Sequence, residues 1–416
     1  MVRKLIYTLV FVAGVLQSSG QDLRLLNRPD LFSDSKAYFE IQGGLDVRSN
    51  AFTNHFMDRM IFGGFIDENL KRDVSDRLID QNRLGIGANG KISYLSLKDS
   101  LFSRENLGIA LHLEQRFDGF ASFTDDLFTL SFYGNSDFLG QEADLSRSYA
   151  SWFTYQKYGF GIFDKRHFSS ISLSMVNGQN FIQAEVPEAS LYTSQDADSL
   201  LLSYQGEMAL SDTANSGFWN TNGIGLALDL QANIPLKEDG GFIHIELNNI
   251  GFISWYNTTH HFEADSNFLY TGVDLVDILD DDYVSSGVPA LKDTLDYTES
   301  QSGKRTVLPG SAEVYLMKRL KEKHLMQAGI RVMPNRAHIP MVYLGYNYEI
   351  NSSTLISTRF TVGGYGNWRV GLGYERYWKD WYVRLWTEDL PGLLLRDLQG
   401  KNAGVSIGTF IGKKHG

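Results

Sequence analysis

The sequence contains no cysteine, and only 8 of its 416 residues are proline. Without a thiol the chain has no disulfide framework, no cysteine-ligated metal site, no thiol nucleophile and no cysteine-linked lipid anchor. Basic residues are outnumbered, with 38 Lys and Arg against 49 Asp and Glu and a formal net charge of −11. Because phosphate binding requires basic patches, this balance argues against a nucleic-acid partner. An aromatic content of 13% is too high for a disordered chain.

Long hydrophobic runs are also missing. The run at residues 5–16 is short of the roughly 20 apolar residues that a membrane-spanning helix requires. It follows the basic pair Arg3–Lys4 and precedes small residues at 18–20, which is the three-part pattern of a secretory signal peptide. We therefore predict a cleaved signal at residues 1–20 and a single outer-membrane barrel domain at residues 21–416. Only a closed barrel crosses a membrane without apolar helices.

The chain instead contains long segments in which apolar and polar residues alternate. The pattern holds over residues 37–48, where Phe39, Ile41 and Leu45 alternate with polar neighbours. It recurs at residues 84–92, 107–114, 224–231, 326–332, 342–349, 356–362 and 368–375. Period-two alternation predicts strands, and a length of about 10–12 residues suits a tilted strand that crosses a bilayer. We predict an all-β fold, a transmembrane antiparallel β-barrel of about 14 strands (12–16), over the alternative of a soluble β-sandwich.

Loop lengths support the same topology. Long inserts at 49–82, 118–143 and 257–303 follow odd-numbered strands, which run outward from a periplasmic N-terminus. Short polar turns follow even-numbered strands, at Lys98–Asp99, Asp164–Lys165, Lys237–Gly240, Lys321–Lys323 and Lys379–Asp380. Whether 167–195 holds one hairpin or an irregular excursion stays open. Helical spacing within 52–80 and 271–284 predicts short helical inserts that cap or plug the extracellular mouth.

Aromatic residues crowd the strand ends around the last of these turns. An interfacial aromatic girdle is typical of membrane barrels. The predicted girdle residues are Tyr374, Tyr377, Trp378, Trp381, Tyr382 and Trp386.

Motifs that carry chemistry are weak. Residues 404–408 read G-x-S-x-G, but a nucleophile elbow needs a helix after the turn, and this segment alternates as a last strand. The sequence His260-His261-Phe262-Glu263 offers metal-ligand atoms, yet adjacent residues of a strand point to opposite sides. The run Asp280–Asp282 lacks the spacing of a calcium loop. We predict no enzymatic activity, no metal and no cofactor.

The predicted interior is more informative. Polar faces of the strands carry acids and arginines in nearly equal number, whereas a selective pore favours one sign. These residues are Glu40, Asp46, Arg48, Glu114, Arg116, Asp229, Glu246, Arg331, Glu349, Arg359, Arg369, Glu375 and Arg384. The mixed set predicts ion pairs across a narrow, occluded or plugged lumen. The alternative is simple hydration of a water-filled lumen.

Three segments carry a resemblance to a known family. They are LFTLSFYGN at 127–135, IELNNIGFISW at 245–255 and LWTEDL at 385–390, ahead of the closing GVSIGTF. With these the chain resembles a family of uncharacterised outer-membrane β-barrels from Bacteroidota. That family is distantly similar to FadL-type long-chain fatty-acid transporters and to barrels of the type IX secretion system. The similarity covers nearly the whole mature chain and implies a barrel and a membrane, not a substrate. One departure is that Phe410 is followed by six more residues, whereas such barrels usually finish on an aromatic residue.

Two functions remain open. The first is transport of hydrophobic or amphipathic small molecules, which the resemblance to fatty-acid transporters implies. It predicts an apolar ligand pocket or plug formed partly by Phe56, Met57, Met60 and Phe62. The second is a non-transporting interaction barrel that partners a surface or secretion (type IX-like) complex. Expected partners are outer-membrane lipids, the barrel-assembly machinery, and either a hydrophobic ligand or a secretion-complex protein.

Overall fold

The computed structural model of the chain describes residues 35–97, 101–236, 241–271 and 297–412. The predicted signal peptide, the run Asp280–Asp282 and nearly all of the predicted helical insert at 271–284 lie outside these ranges. No helix within them is both long enough and apolar enough to cross a membrane.

The described residues form nineteen strands and a few short helices. The strands are β1 (Ala37–Ser49), β2 (Gln81–Ser96), β3 (Leu107–Thr124), β4 (Gln141–Asp144), β5 (Ser148–Asp164), β6 (Ser169–Thr193), β7 (Leu200–Leu210), β8 (Gly223–Pro235), β9 (Phe242–Trp255), β10 (His260–Tyr270), β11 (Tyr297–Gln301), β12 (Arg305–Val307), β13 (Ser311–Lys321), β14 (His324–Val332), β15 (Ile339–Asn351), β16 (Thr354–Gly364), β17 (Trp368–Trp378), β18 (Trp381–Thr387) and β19 (Gly400–Ile411). The helices are α1 (Asn54–Phe62), α2 (Glu68–Ser75), α3 (Asp125–Tyr133), a 3₁₀ turn (Ser136–Phe138) and α4 (Leu390–Leu394).

Fourteen of the strands close into a barrel. Their order is β1-β2-β3-β5-β6-β8-β9-β13-β14-β15-β16-β17-β18-β19, and β19 returns to β1. Every pairing is antiparallel, and β1 is paired along both edges, so that Ala37 lies opposite Ser96 on one side and Ile411 on the other. The predicted antiparallel barrel of 14 strands is confirmed.

The strand β6 answers the question of whether residues 167–195 form a hairpin or an irregular excursion. Its residues 170–178 pair with β8 in the barrel, whereas residues 182–193 leave β8 and pair with β7. The strand β10 then pairs with β7, β11 pairs with β10, and β4 pairs with the end of β6. We call these strands, with the upper half of β6, the sheet extension. The segment is therefore one barrel strand that continues into an excursion.

The two ends of the barrel differ in their connections. At one end, the turn end, strands are joined by short turns such as Lys379–Asp380. At the other, the loop end, lie the long inserts, but also the short connections 333–338 and 365–367. The expectation of a long loop after each odd-numbered strand therefore fails twice. The predicted turns at Lys98–Asp99 and Lys237–Gly240 lie outside the described residues.

Side chains alternate between the interior and the outside along each barrel strand. In β1, Ile41 and Leu45 are exposed on the outside, while Tyr38 and Arg48 are buried inside. Large apolar side chains are exposed in the same way around the barrel, including Leu113, Phe160, Leu173, Leu226, Leu344, Phe360 and Leu372. An exposed apolar belt of this kind is typical of barrels that cross a membrane.

The alternation corrects half of the predicted aromatic girdle. Trp378 and Trp381 are exposed on the outside, as expected, but Tyr377, Tyr382 and Trp386 are buried inside the barrel. Interior glycines make room for such rings. A side chain at Gly404 would approach the indole of Trp386 to 1.9 Å. The glycine-rich polar faces therefore suit large aromatic neighbours in the interior.

Candidate functional site

The barrel interior is layered along its axis. At the turn end an aromatic layer fills it, with the rings of Tyr38 and Phe410 at 4.9 Å and those of Tyr377 and Tyr382 also at 4.9 Å. At the loop end an apolar cluster covers the side formed by β5 to β9. Its buried members are Phe120, Phe153, Tyr155, Val176, Phe181, Ala209, Ala227, Ile253, Trp255, Leu308 and Ala337. Charged residues occupy the region between these layers.

The charged middle region contains an ion-pair network centred on Glu114 and Lys157. Lys157 Nζ lies 2.8 Å from Asp229 Oδ2 and 3.4 Å from Glu114 Oε2. On its other side, Glu114 Oε1 lies 3.3 Å from Arg116 Nη1, and Arg116 donates two hydrogen bonds to Asp118 at 3.0 and 3.1 Å. Alternate residues of β3 thus combine with Lys157 of the neighbouring strand β5 and with Asp229 of β8. Because buried charges need partners, loss of any member leaves an uncompensated charge.

A β-bulge brings an amide into this network. Between Leu228 and Leu230 the pairing of β8 with β9 shifts, so that Asp229 faces two residues of β9. One of them, Asn249, has a φ of 55° and is buried. Its backbone N–H donates to Asp229 at 2.8 Å, and its side-chain oxygen accepts from Lys157 at 2.5 Å. Bulges often re-aim side chains in this way next to functional sites.

A second network lies at the loop end, where β18 leaves the wall. Arg48 contacts Asp46 at 2.6 Å, Asp389 at 3.5 Å and Glu388 at 3.6 Å. Glu388 also contacts Arg369 Nη2 at 3.2 Å. Burial raises the pKa of Glu388, which lies in the connection after β18, but the arginines around it dominate and hold this pKa at about 2. Glu388 therefore stays ionised at neutral pH.

The other predicted interior residues also have partners. Arg331 Nε donates to Glu313 at 2.6 Å. The Ser406 hydroxyl donates to Glu40. The remaining contacts are His244 with Glu246 at 3.4 Å, Arg384 with Glu375 at 3.3 Å, Arg319 with Glu349 at 3.2 Å, and the Arg359 guanidinium over the Tyr343 ring at 4.4 Å. The role of this network in function stays a prediction.

A cavity of about 330 Å³ lies within these layers. Its lining reaches from Tyr38 in the aromatic layer to Arg48 and Tyr365 at the loop end, so it follows the barrel axis. Charged side chains of both networks line it, together with apolar ones such as Phe120 and Met341. The site therefore offers both ion-pairing groups and apolar surface to a small molecule.

Two short connections lie over this cavity at the loop end. The 333–338 connection joins β14 to β15, yet its Arg336 pairs with Glu185 on β6 and lies 5.7 Å from the Tyr149 ring on β5. In the barrel order, β14 and β15 are separated from β5 and β6 by the strands β8, β9 and β13. In the 365–367 connection, the Tyr365 hydroxyl accepts a hydrogen bond from Asn335 at 2.9 Å. The two connections therefore hold each other across the mouth.

The first long insert lies outside the lumen. Phe56 and Met57 of α1 are buried, and they pack with Val47 of β1, which has the outward orientation of Ile41 and Leu45. Met60 and Phe62 are exposed. None of these four insert residues lines the cavity. The predicted capping or plugging of the mouth by this insert is not what the structure shows, because its apolar stripe covers the outer wall.

Sequence reasoning missed several members of the site. Asp118 continues the inward face of Glu114 and Arg116, so simple alternation locates it. Lys157, by contrast, belongs to a segment for which no alternation was identified. The buried residues Glu313 and His338 also line or support the interior.

Two of the weak motifs lie on strands of the described fold. Residues 404–408 continue as strand β19, without the turn and helix of a nucleophile elbow. His260 contacts Glu299 at 3.2 Å, whereas His261 contacts the Ser302 carbonyl. Within the described ranges, no three His, Asp or Glu side chains are grouped as metal ligands.

Comparison with known structures finds barrels of low sequence identity. A TodX monoaromatic hydrocarbon channel mutant shares 10% identity, covers 96% of this chain and 98% of its own, and has a TM-score of 0.46. The Ralstonia pickettii toluene transporter TbuX shares 7% identity, with 91% and 90% coverage and a TM-score of 0.40. The translocator domain of the Neisseria meningitidis autotransporter NalP shares 10%, with 92% and 93% coverage and a TM-score of 0.32.

Comparison with curated protein sequences finds no match. A protein-family model does match, over residues 29–379, and therefore covers most of the chain. The chain belongs to the family of unknown function DUF5723.

Proposed function

We propose that this protein is an outer-membrane β-barrel that takes a small amphipathic molecule into a closed lumen. The observation that carries this proposal is the axial cavity of about 330 Å³, with charged and apolar lining, between the aromatic layer and the connections over the mouth. A molecule of mixed character matches such a lining better than a purely apolar one. The exposed apolar belt supports the membrane location. In this proposal the site binds and transports a small molecule and does not catalyse a reaction.

Native mass spectrometry of the full-length protein, extracted gently from its own membrane, tests the proposal. We expect a bound small amphipathic molecule in the wild type. Ser172 lies on the cavity wall, so Ser172→Trp fills space that the ligand needs and removes the bound mass. Its neighbour Leu173 is exposed on the outside, so Leu173→Trp is the matched control and keeps the ligand.

Two results would contradict the proposal. One is a bound mass that persists in Ser172→Trp while the barrel keeps its heat-modifiable electrophoretic mobility. The other is a stable conductance in planar bilayers like that of an open porin, because ion pairs across an occluded lumen leave no wide aqueous path.

A second candidate is a non-transporting barrel that partners a surface or secretion (type IX-like) complex. The sheet extension favours it, because one face carries neighbouring apolar side chains of β7 and β10, such as Leu202 opposite Phe268 and Met208 opposite Phe262. A stoichiometric protein companion in the same mass spectra, with no small molecule in the barrel, would favour this candidate.

A further inference from the structure

Among the described residues, a buried nitrogen of His338 and one of Arg369 make no hydrogen bond at the loop end of the cavity; Arg48 Nη2 makes none either, but it lies 3.6 Å from Glu388. His338 lines the cavity with 8% of its surface exposed, and its Nδ1 makes no hydrogen bond. Arg369 lines the cavity with 4% exposed, and its Nε is likewise without a partner. Buried nitrogen atoms nearly always have a hydrogen-bond partner, so two such orphans on one wall call for a common explanation.

The surrounding side chains hold these groups in place. The His338 ring meets Tyr365 edge to face at 5.0 Å. Arg369 uses Nη2 for Glu388 at 3.2 Å and also contacts the Met341 sulfur, which leaves Nε for another acceptor. Gly364 lies beside them with a φ of 82°, and a side chain there would come within 3.5 Å of Arg369 Nη1. The left-handed backbone and the Met341 sulfur, 2.9 Å from an added Cβ, therefore favour glycine at this position.

The charged groups that act most strongly on the His338 ring are arginines, although Arg369 also pairs with Glu388 and Arg331 with Glu313. These arginines are Arg331, Arg369 and Arg83. Burial first and these arginines next lower the pKa of His338 to about 4, so the ring is neutral at physiological pH. A bound oxyanion would accept a hydrogen bond from Arg369 Nε–H, which has no other acceptor among the described residues.

We propose that the loop-end wall of the cavity binds the oxyanion group of a small amphipathic molecule through Arg369 and His338. The inference rests on the proposed function, and it adds the chemical class of the ligand. The anionic group is a carboxylate or a phosphate ester. The apolar part of the molecule contacts the neighbouring Met333, Met341 and Phe120, which line the same cavity.

Calorimetric titration of the full-length protein in detergent tests the site with hexanoate, hexyl phosphate and uncharged hexanol. We expect at least one anion to bind and hexanol to bind much more weakly. Since a hydrogen bond to a charged group contributes about 1.5–3 kcal/mol, Arg369→Gln should weaken anion binding at least about tenfold. His338→Phe keeps the ring packing but removes both nitrogens, and it should weaken binding too. Binding of hexanoate alone identifies a carboxylate site, and binding of hexyl phosphate alone a phosphate site.

The matched control is Arg376→Gln. Arg376 is an arginine of the same strand as Arg369, but it lies on the outside over the Trp378 ring at 5.0 Å. Its substitution should leave anion binding unchanged. The inference is overturned if neither anion binds the wild type, or if Arg369→Gln and His338→Phe bind the anion as the wild type does. If native mass spectra then still show an uncharged amphipathic molecule that Ser172→Trp removes, the proposed function stands and only the oxyanion site is rejected.

Discussion

At the loop end, the insert 50–80 and the connection 333–338 differ in where their buried side chains go. Phe56 and Met57 of the long insert pack on outward-facing residues of the wall. Ala337 and His338 of the short connection are buried toward the lumen. The difference follows from the length of each segment and from its pattern of apolar residues. A long amphipathic insert buries its apolar stripe on the nearest apolar wall, whereas a short connection between adjacent strands stays at the rim and bends over the opening.

The largest expected effect comes from removing the short connection. Replacement of residues 334–337 by Gly-Ser repeats removes the contacts of Arg336 with β5 and β6 and the hydrogen bond from Asn335 to Tyr365. We expect faster amide hydrogen exchange around residues 364–369 than in the wild type, because water then reaches the cavity from the loop end.

The matched experiment replaces residues 54–75 by a short flexible linker. Because α1 and α2 pack on the outer wall, we expect hydrogen exchange around residues 364–369 to stay as in the wild type. The comparison fails if this second variant speeds that exchange and the first does not.

An intermediate effect is expected inside the long insert. Phe56 is fully buried among aromatic rings, including those of Phe52 and Phe128 at 5.1 and 5.8 Å. Phe56→Ala should destabilise the packed insert by about 3–5 kcal/mol, because it leaves a cavity. Limited proteolysis of the insert measures the loss, while conductance should stay unchanged. Phe62 is 67% exposed, so Phe62→Ala should change stability by less than about 0.5 kcal/mol. Equal protease sensitivity of the two variants would contradict this assignment.

Much of the barrel wall was predictable because period-two alternation is a local property. The same alternation placed Glu114 and Arg116 on one inward face, and the helical spacing of the first insert indicated helices. The partners of these residues were not predictable, since Lys157 and Asp229 meet only after non-neighbouring strands are brought together. The predicted outward orientation of the aromatic residues near the last turn was wrong for half of them. Their clustering at strand ends does not show whether a ring faces the outside or the interior of the barrel.

The location of the first insert was partly predictable from the sequence of the strands beside it. Val47, Leu84 and Phe123 are outward residues at the loop end, where a bare apolar surface would lie beyond the lipid belt and need a cover. The short connections gave no such signal. His338 is a lone histidine in a short polar stretch, and its burial depends on how the connection bends across the mouth.

The smallest expected effect concerns the ion pair that joins the first and second long inserts. Asp80, at the end of the first, accepts two hydrogen bonds from Arg147, at the end of the second, at 3.0 and 3.1 Å. The hydrogen bonds from Arg147 and the positive charge of Arg147 lower the pKa of Asp80 below its ordinary value. At pH values above the ordinary carboxyl pKa of about 3.9, the ion pair therefore stabilises the contact between the two inserts. This stabilisation is lost as the pH falls through the lowered pKa. Amide hydrogen exchange around residues 80 and 147 should be slightly faster in Asp80→Asn than in the wild type at neutral pH. The two proteins should converge at low pH and in high salt, because both side chains are exposed and screened. A difference that persists under both conditions would mean that Asp80 acts through packing and not through its charge.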